Sequence, residues 1–362
     1  MSMNLHGGHP GQAFERLGLP PRPVTDFSVN VNPLGPPWSV RKAWPGLISE
    51  VSRYPTLDGD GVRAFYRKRF NLPGECVLPG NGSTELIYLV PRALKIKRAG
   101  IMQPCFQEYE RALRLGGAEV FSVPLSAPDL FKPLPVETWE NHLVQADAVC
   151  IGNPNNPTST ITPRKDLLEL VSRHPDVIFL VDEAFVQFLD HPGNVSLLHR
   201  RYLRPNLLVF HSLTKFYCLP GLRLGALIGH PDTLAGIRPF KEPWTVNSAA
   251  EAVAGLLAAS RKYERYTREL IAYQRQKIAA ALADVPGIKL FPSATDFFLA
   301  QWTATHDLDG LLRPLLMEGV HVRDCRNFAG LENNFFRFAV RTPAENKRFQ
   351  RALMHIASYA NG

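Results

Sequence analysis

Cysteine is scarce here and shows no pairing pattern. Cys76, Cys105, Cys150, Cys218 and Cys325 are odd in number, and no Cys-x-x-Cys pair occurs. That argues against a disulfide framework and against a zinc site, and it favours a reducing, cytoplasmic compartment. Long apolar runs are also absent; none approaches the roughly 20 residues that span a bilayer. The first eight residues, Met1 to Gly8, lack a charged segment followed by an apolar one, so no secretory leader is expected. No block of five like charges occurs, the densest spot being Lys95-Ile96-Lys97-Arg98. The net charge of +8 therefore reads as a solvated basic face. With no recognisable nucleic-acid module, neither nucleic acid nor membrane is an expected partner. The excess of arginine does suit a small phosphorylated substrate. There is no internal repeat and no low-complexity tract, and the 31 prolines are scattered as punctuation.

What is present is an alternation. Short apolar runs at 99–102, 118–123, 148–151, 177–181, 207–210 and 224–228 are separated by helix-length stretches such as 164–174. Continuous apolar strands alternating with helices indicate an α/β fold whose mostly parallel sheet is covered on both faces. The chain of 362 residues suits more than one structural unit. Residues 1–40 read as an irregular arm packing with a small domain, 41–245 as the large domain, and 246–362 as a connecting helix followed by that small α+β domain. Asn247-Ser248 can cap a helix, and the pattern stays helical to about Ala283. Beyond it, 297–302 and 335–340 read as strands, and 308–317 and 345–359 as helices.

The densest chemistry lies in Ser212-Leu213-Thr214-Lys215-Phe216-Tyr217-Cys218-Leu219-Pro220-Gly221-Leu222-Arg223. It follows a buried strand, so Lys215 falls at the carboxyl end of the sheet, where α/β folds bind ligands. A desolvated lysine near other cations loses proton affinity and can act as an amine nucleophile that forms Schiff bases. Ser212 and Arg223 flank it, and a hydroxyl with a forked guanidinium suits a phosphate. The string resembles the lysine motif of the fold-type-I pyridoxal-phosphate (PLP) enzymes, the aspartate aminotransferase superfamily, and the resemblance runs over nearly the whole chain. It implies a seven-stranded-type sheet, PLP held on Lys215, and a homodimer that shares its active sites.

By the same resemblance, Gly82, Ser83 and Thr84 in Pro79-Gly80-Asn81-Gly82-Ser83-Thr84-Glu85 cradle the cofactor phosphate at a helix N-terminus. Asn156, in Asn153-Pro154-Asn155-Asn156-Pro157, donates to the cofactor's phenolic oxygen. Asp182, closing the 177–181 run, keeps the pyridine nitrogen protonated so that the ring can act as an electron sink. Phe106 stacks on the ring, and Tyr54 reaches the phosphate of the neighbouring subunit. Taken singly, these segments also read as a helix cap, a proline-rich turn or core aromatics. Ser159 stands where relatives carry glycine, Phe185 where many carry tyrosine, and Asp296 where many carry asparagine.

Outside the cofactor motifs, His6-Gly7-Gly8, Asp26-Phe27-Ser28-Val29-Asn30-Val31-Asn32-Pro33, Pro243-Trp244-Thr245-Val246-Asn247 and Arg337-Phe338-Ala339-Val340-Arg341 resemble the threonine-phosphate decarboxylases of cobalamin biosynthesis. The histidinol-phosphate aminotransferases are the alternative. The decarboxylase resemblance implies a phosphorylated amino acid as substrate, bound by His6, Asn32, Arg323, Arg337 and Arg341. It also implies chemistry by Lys215 and Asp182, with serine phosphate as a possible second substrate.

Overall fold

The computed structural model describes residues 6–331 and 333–360. The reading of Met1–Leu5 as free of a leader, and the last two residues of the small domain, lie outside the described residues. The arm contributes one short strand, β1 (Thr25–Asp26). The large domain carries seven: β2 (Val77–Asn81), β3 (Arg98–Gln103), β4 (Glu119–Pro124), β5 (Ala148–Gly152), β6 (Ile178–Asp182), β7 (Leu207–Ser212) and β8 (Leu224–Gly229). Their spatial order is β2-β8-β7-β6-β5-β3-β4, and β8 runs antiparallel to both its neighbours, β2 and β7. Every residue of β5, β7 and β8 is buried, which is why these segments read as unbroken apolar runs. The sequence reading missed β2, whose Pro79-Gly80-Asn81 looks like a turn. It closes the sheet by pairing with β8.

The small domain holds β9 (Ile288–Leu290), β10 (Phe297–Trp302), β11 (Val320–His321), β12 (Arg323–Asp324) and β13 (Phe335–Ala339). Four of them form an antiparallel sheet ordered β12-β13-β10-β9. The C-terminal helix Pro343–Ala360 packs on it, with Phe349 4.5 Å from Phe338 between ring centres. The arm is tied to this domain: β1 pairs in parallel with β11, and Arg16 reaches Asp309 at 3.0 Å. The arm is also less irregular than its composition suggests. Pro10–Arg16 is helical, with proline at the first position and Phe14 buried.

The expected single helix from Ser248 to about Ala283 is two helices, Ser248–Leu257 and Arg261–Leu282. Asn247 does cap the first, accepting from the Ala250 amide at 2.8 Å. Tertiary contacts then redirect the chain. Glu264 is buried by an ion pair with Arg69 and accepts from the Tyr217 hydroxyl at 2.8 Å. Those contacts fix the second helix independently of the first. Among the described residues, no helix is long and apolar enough to cross a membrane.

Candidate active site

Adjacent parallel strands end side by side. Gly152 of β5 pairs with Asp182 of β6, which pairs with Phe210 of β7. The loops leaving these ends meet the arm and the small domain around a cavity of about 250 Å³. Lys215, Arg223, Arg323, Arg337 and His6 line it, against one carboxylate, Asp182, among the described residues. Such a cavity selects for anions.

The large-domain side is held together locally. Lys215 follows β7, and burial, then the Arg337 and Arg223 charges, push its ammonium down to about 8, opposed by Asp296 and Asp182. Asp182 is buried; its Oδ2 accepts from the Tyr109 hydroxyl at 2.7 Å and its Oδ1 from the Ala184 amide at 2.8 Å. Burial raises its proton affinity, and those two hydrogen bonds work against the rise. Tyr109 lines the cavity but reads in sequence as an ordinary core tyrosine, so its role had no signal. Thr214 was missed similarly; its hydroxyl and that of Ser212 lie 2.7 Å apart.

Gly82 opens the helix Gly82–Ala93, and Ser83 and Thr84 face the cavity from its first turn. Gly82 has φ 74, and a Cβ there would sit 2.6 Å from Arg223 Nη2. Only glycine lets the guanidinium close over the free amides of that turn. Phe106 lines the same wall, edge-on to Tyr109 at 5.6 Å.

The other side comes from distant sequence. Arg337 on β13 is 6 % exposed. It donates Nη1 to Asn156 Oδ1 and Nη2 to the Ser28 carbonyl at 2.8 Å, while its buried Nε has no partner. Burial pushes it down to about 10. Arg323 on β12 donates to the Asp324 carbonyl at 2.6 Å and to Asn327 at 2.9 Å. His6 pairs with Glu108 at 3.0 Å, and Glu108 also accepts from Tyr88. Gly7 lets the arm cross Ser28 closely; a Cβ would lie 2.4 Å from the Ser28 oxygen.

Two residues assigned to the substrate lie elsewhere. Asn32 does not line the cavity. Its amide donates to the Phe216 carbonyl and to Thr267 Oγ1, both at 2.8 Å, and its own backbone amide donates to the Lys215 carbonyl at 3.1 Å. It ties the arm to the lysine loop. Asn30, two residues earlier, lines the cavity with neither side-chain polar atom hydrogen-bonded. Arg341 is also outside, held by Glu345 at 2.8 Å and the Asp26 carbonyl at 3.1 Å. Tyr54 is 86 % exposed and lies 5.5 Å from Trp244, away from this chain's own cavity.

The departures are also placed. Ser159 takes φ 60 despite its Cβ. Its hydroxyl compensates by accepting from the Ala294 amide at 2.9 Å and meeting Thr295 Oγ1 at 2.9 Å. Phe185 lines the cavity, edge-on to Phe297 at 5.0 Å. Asp296 is fully buried and feels the charges of Arg337 and Lys215.

A lysine with reduced proton affinity, a buried carboxylate facing the cavity, and hydroxyls, amides and an arginine gathered at one helix end make a site that fits PLP. The comparisons agree. The model of class I and II aminotransferases matches residues 22–353. A threonine-phosphate decarboxylase of Salmonella typhimurium is 32% identical over 98% of this chain and 96% of its own. Two solved structures superpose closely. The histidinol-phosphate aminotransferase of Clostridium acetobutylicum has TM-score 0.85 at 26% identity, covering 92% of this chain and 99% of that one. The L-threonine-O-3-phosphate decarboxylase of Porphyromonas gingivalis has TM-score 0.81 at 27% identity, covering 90% and 97%. The chain belongs to the class I and II aminotransferase family, and it is a PLP enzyme of that family.

Proposed function

We propose that the protein decarboxylates L-threonine O-3-phosphate to (R)-1-amino-2-propanol O-2-phosphate for the nucleotide loop of cobalamin, with L-serine phosphate as a second substrate. The observation that carries this reading is the pair of buried guanidiniums, Arg323 and Arg337, opposite the Lys215–Asp182 wall. Two arginines with His6 suit a substrate that bears both a carboxylate and a phosphate. The relatives named for this activity support it, as does Phe185, which puts no hydroxyl beside the reacting groups.

PLP, when bound, supplies a sink for the electron pair left as a bond to the substrate's Cα breaks. Lys215 would hold it covalently, while Ser83, Thr84, Ser212 and Arg223 would take its phosphate. Asn156 and Asp182 would take its ring oxygen and ring nitrogen, with Phe106 against its face. Asp182 holds a proton opposite its carboxylate, and Tyr109 keeps that carboxylate in place. Arg337 and Arg323 orient the substrate so that the carboxylate bond, rather than the Cα–H bond, is the one that breaks. His6 and Asn30 add contacts to the phosphate. Lys215 Nζ then delivers the proton that replaces the lost carbon dioxide. The cationic cavity excludes neutral amino acids by leaving buried arginines uncompensated.

The active unit in this reading is a homodimer. Tyr54, Trp38, Trp44, Ile48, Val51 and Trp244 form an exposed apolar set of the kind a second copy covers. Tyr54 would then act at the partner's coenzyme phosphate.

Incubation with L-threonine phosphate tests the proposal. Equal amounts of carbon dioxide and amino-alcohol phosphate are expected. Keto acid with pyridoxamine phosphate would replace the reading with a histidinol-phosphate-type aminotransferase.

A further inference from the structure

Asp296 immediately precedes β10, and its main chain is anchored from three sides. The Val340 amide donates to its carbonyl at 2.6 Å. The Ser159 hydroxyl accepts from the preceding Ala294 and Thr295 amides at 2.9 and 3.2 Å. Arg275, from the helix Arg261–Leu282, donates to the Ala294 carbonyl at 3.0 Å. The carboxylate at the end of this rigid turn is fully buried, and beyond its own backbone amide neither of its oxygens has a hydrogen-bond partner. A bare buried carboxylate is an unstable arrangement, because desolvation favours the neutral acid.

Its own backbone amide opposes that tendency first, and three cations follow: Arg337 from β13, Lys215 from the loop after β7, and Arg275. Burial, that amide and these charges together put the group at about 7, poised to ionise or not. Two of the three cations lose their influence when the site is loaded. Lys215 gives up its free ammonium to the coenzyme, and Arg337 gains an anionic ligand.

We propose that Asp296 is the site's proton acceptor: it is a carboxylate while Arg337 is free and takes up a proton when an anionic group docks on that arginine. This inference rests on the reading of Arg337 as the ligand-binding guanidinium. Neutralising one nearby charge moves a buried carboxyl by about 1–3 pKa units. The affinity is therefore flat at pH values where the acid is already protonated and declines above them. Through this coupling a departure from the expected asparagine becomes a device. The loaded state has a neutral group of the shape of asparagine, and the free state has a counter-charge that stabilises the empty cationic pocket.

The test uses the PLP-loaded enzyme and 3-sulfopropionate, an anion at both ends with no amine to react and no titration near neutrality. Calorimetry in buffers of different ionisation enthalpy counts the protons taken up on binding. The coenzyme's visible band reports separately any proton that goes to the coenzyme. Wild type is expected to take up a fraction of a proton per site at pH 7 and a larger fraction at pH 8 and above, beyond the coenzyme's share. Its affinity should fall about tenfold between pH 7 and pH 9. Asp296→Asn should bind with no such uptake and a flat profile. Wild type binding without uptake, or uptake retained in Asp296→Asn, overturns the proposal alone. Failure of the probe to bind, or binding unchanged in Arg337→Lys, overturns the reading of Arg337 and the proposal with it. The wild-type count decides the matter even if the variant fails to fold.

Discussion

The two walls of the cavity are built differently. The coenzyme wall comes from strand ends and the loops directly after them: Asn156 after β5, Asp182 ending β6, Ser212 and Lys215 at β7, and Arg223 before β8. Each side chain is placed by a motif a few residues long. The opposite wall is assembled from His6, Ser28, Asn30, Arg323 and Arg337, drawn from the two ends of the chain. Its geometry depends on β1 pairing with β11 and on Arg337 bridging Asn156 and Ser28. A motif wall tolerates change elsewhere in the chain. The assembled wall is set by long-range ties, so substitutions that leave every ligand in place can still disable it.

The sharpest way to break this contrast is Arg337→Lys. The lysine keeps charge but loses the fork that spans Asn156 and Ser28, and KM for threonine phosphate should rise about 100-fold while the coenzyme spectrum is unchanged. Steady-state kinetics beside an absorbance scan reads both. Next come two asparagines of the arm. Asn32→Ala should cost about 2–3 kcal/mol in urea unfolding, since it strands two buried partners. Asn30→Ala should leave stability alone and raise KM about tenfold. An exchange of those two phenotypes would return Asn32 to the substrate site. Ser159→Ala keeps a Cβ at positive φ and removes the compensating hydroxyl, so about 1–2 kcal/mol of stability should go, whereas Ser159→Gly should be close to neutral. The smallest effect is expected from Arg341→Gln, a change in KM of less than about threefold, because its guanidinium serves Glu345 and Asp26 rather than the cavity.

The same contrast explains what was legible in the sequence. The central strands announced themselves as unbroken apolar runs because both faces of the sheet are covered. Lys215, Asp182 and Asn156 stood out because strand-end motifs keep their chemistry contiguous. The opposite wall had no such grammar. Asn30 and Asn32 share one short segment, and only the packing shows that Asn32 is consumed by Thr267 and Phe216 while Asn30 is left bare. Arg337 and Arg341 lie four residues apart, yet Arg337 is inside β13 and lines the cavity, whereas Arg341 lies beyond the strand's end, held by Glu345. Tyr109 was invisible for another reason: a buried tyrosine is ordinary until the carboxylate it holds is known.

The account turns on one covalent link, and reduction of the yellow enzyme with borohydride followed by peptide mass mapping reads it directly. The prediction is a single reduced pyridoxyl-phosphate adduct on Lys215, absent when threonine phosphate is added in excess before the reductant. An adduct on any other lysine, or none at all in enzyme that still releases carbon dioxide, would contradict it.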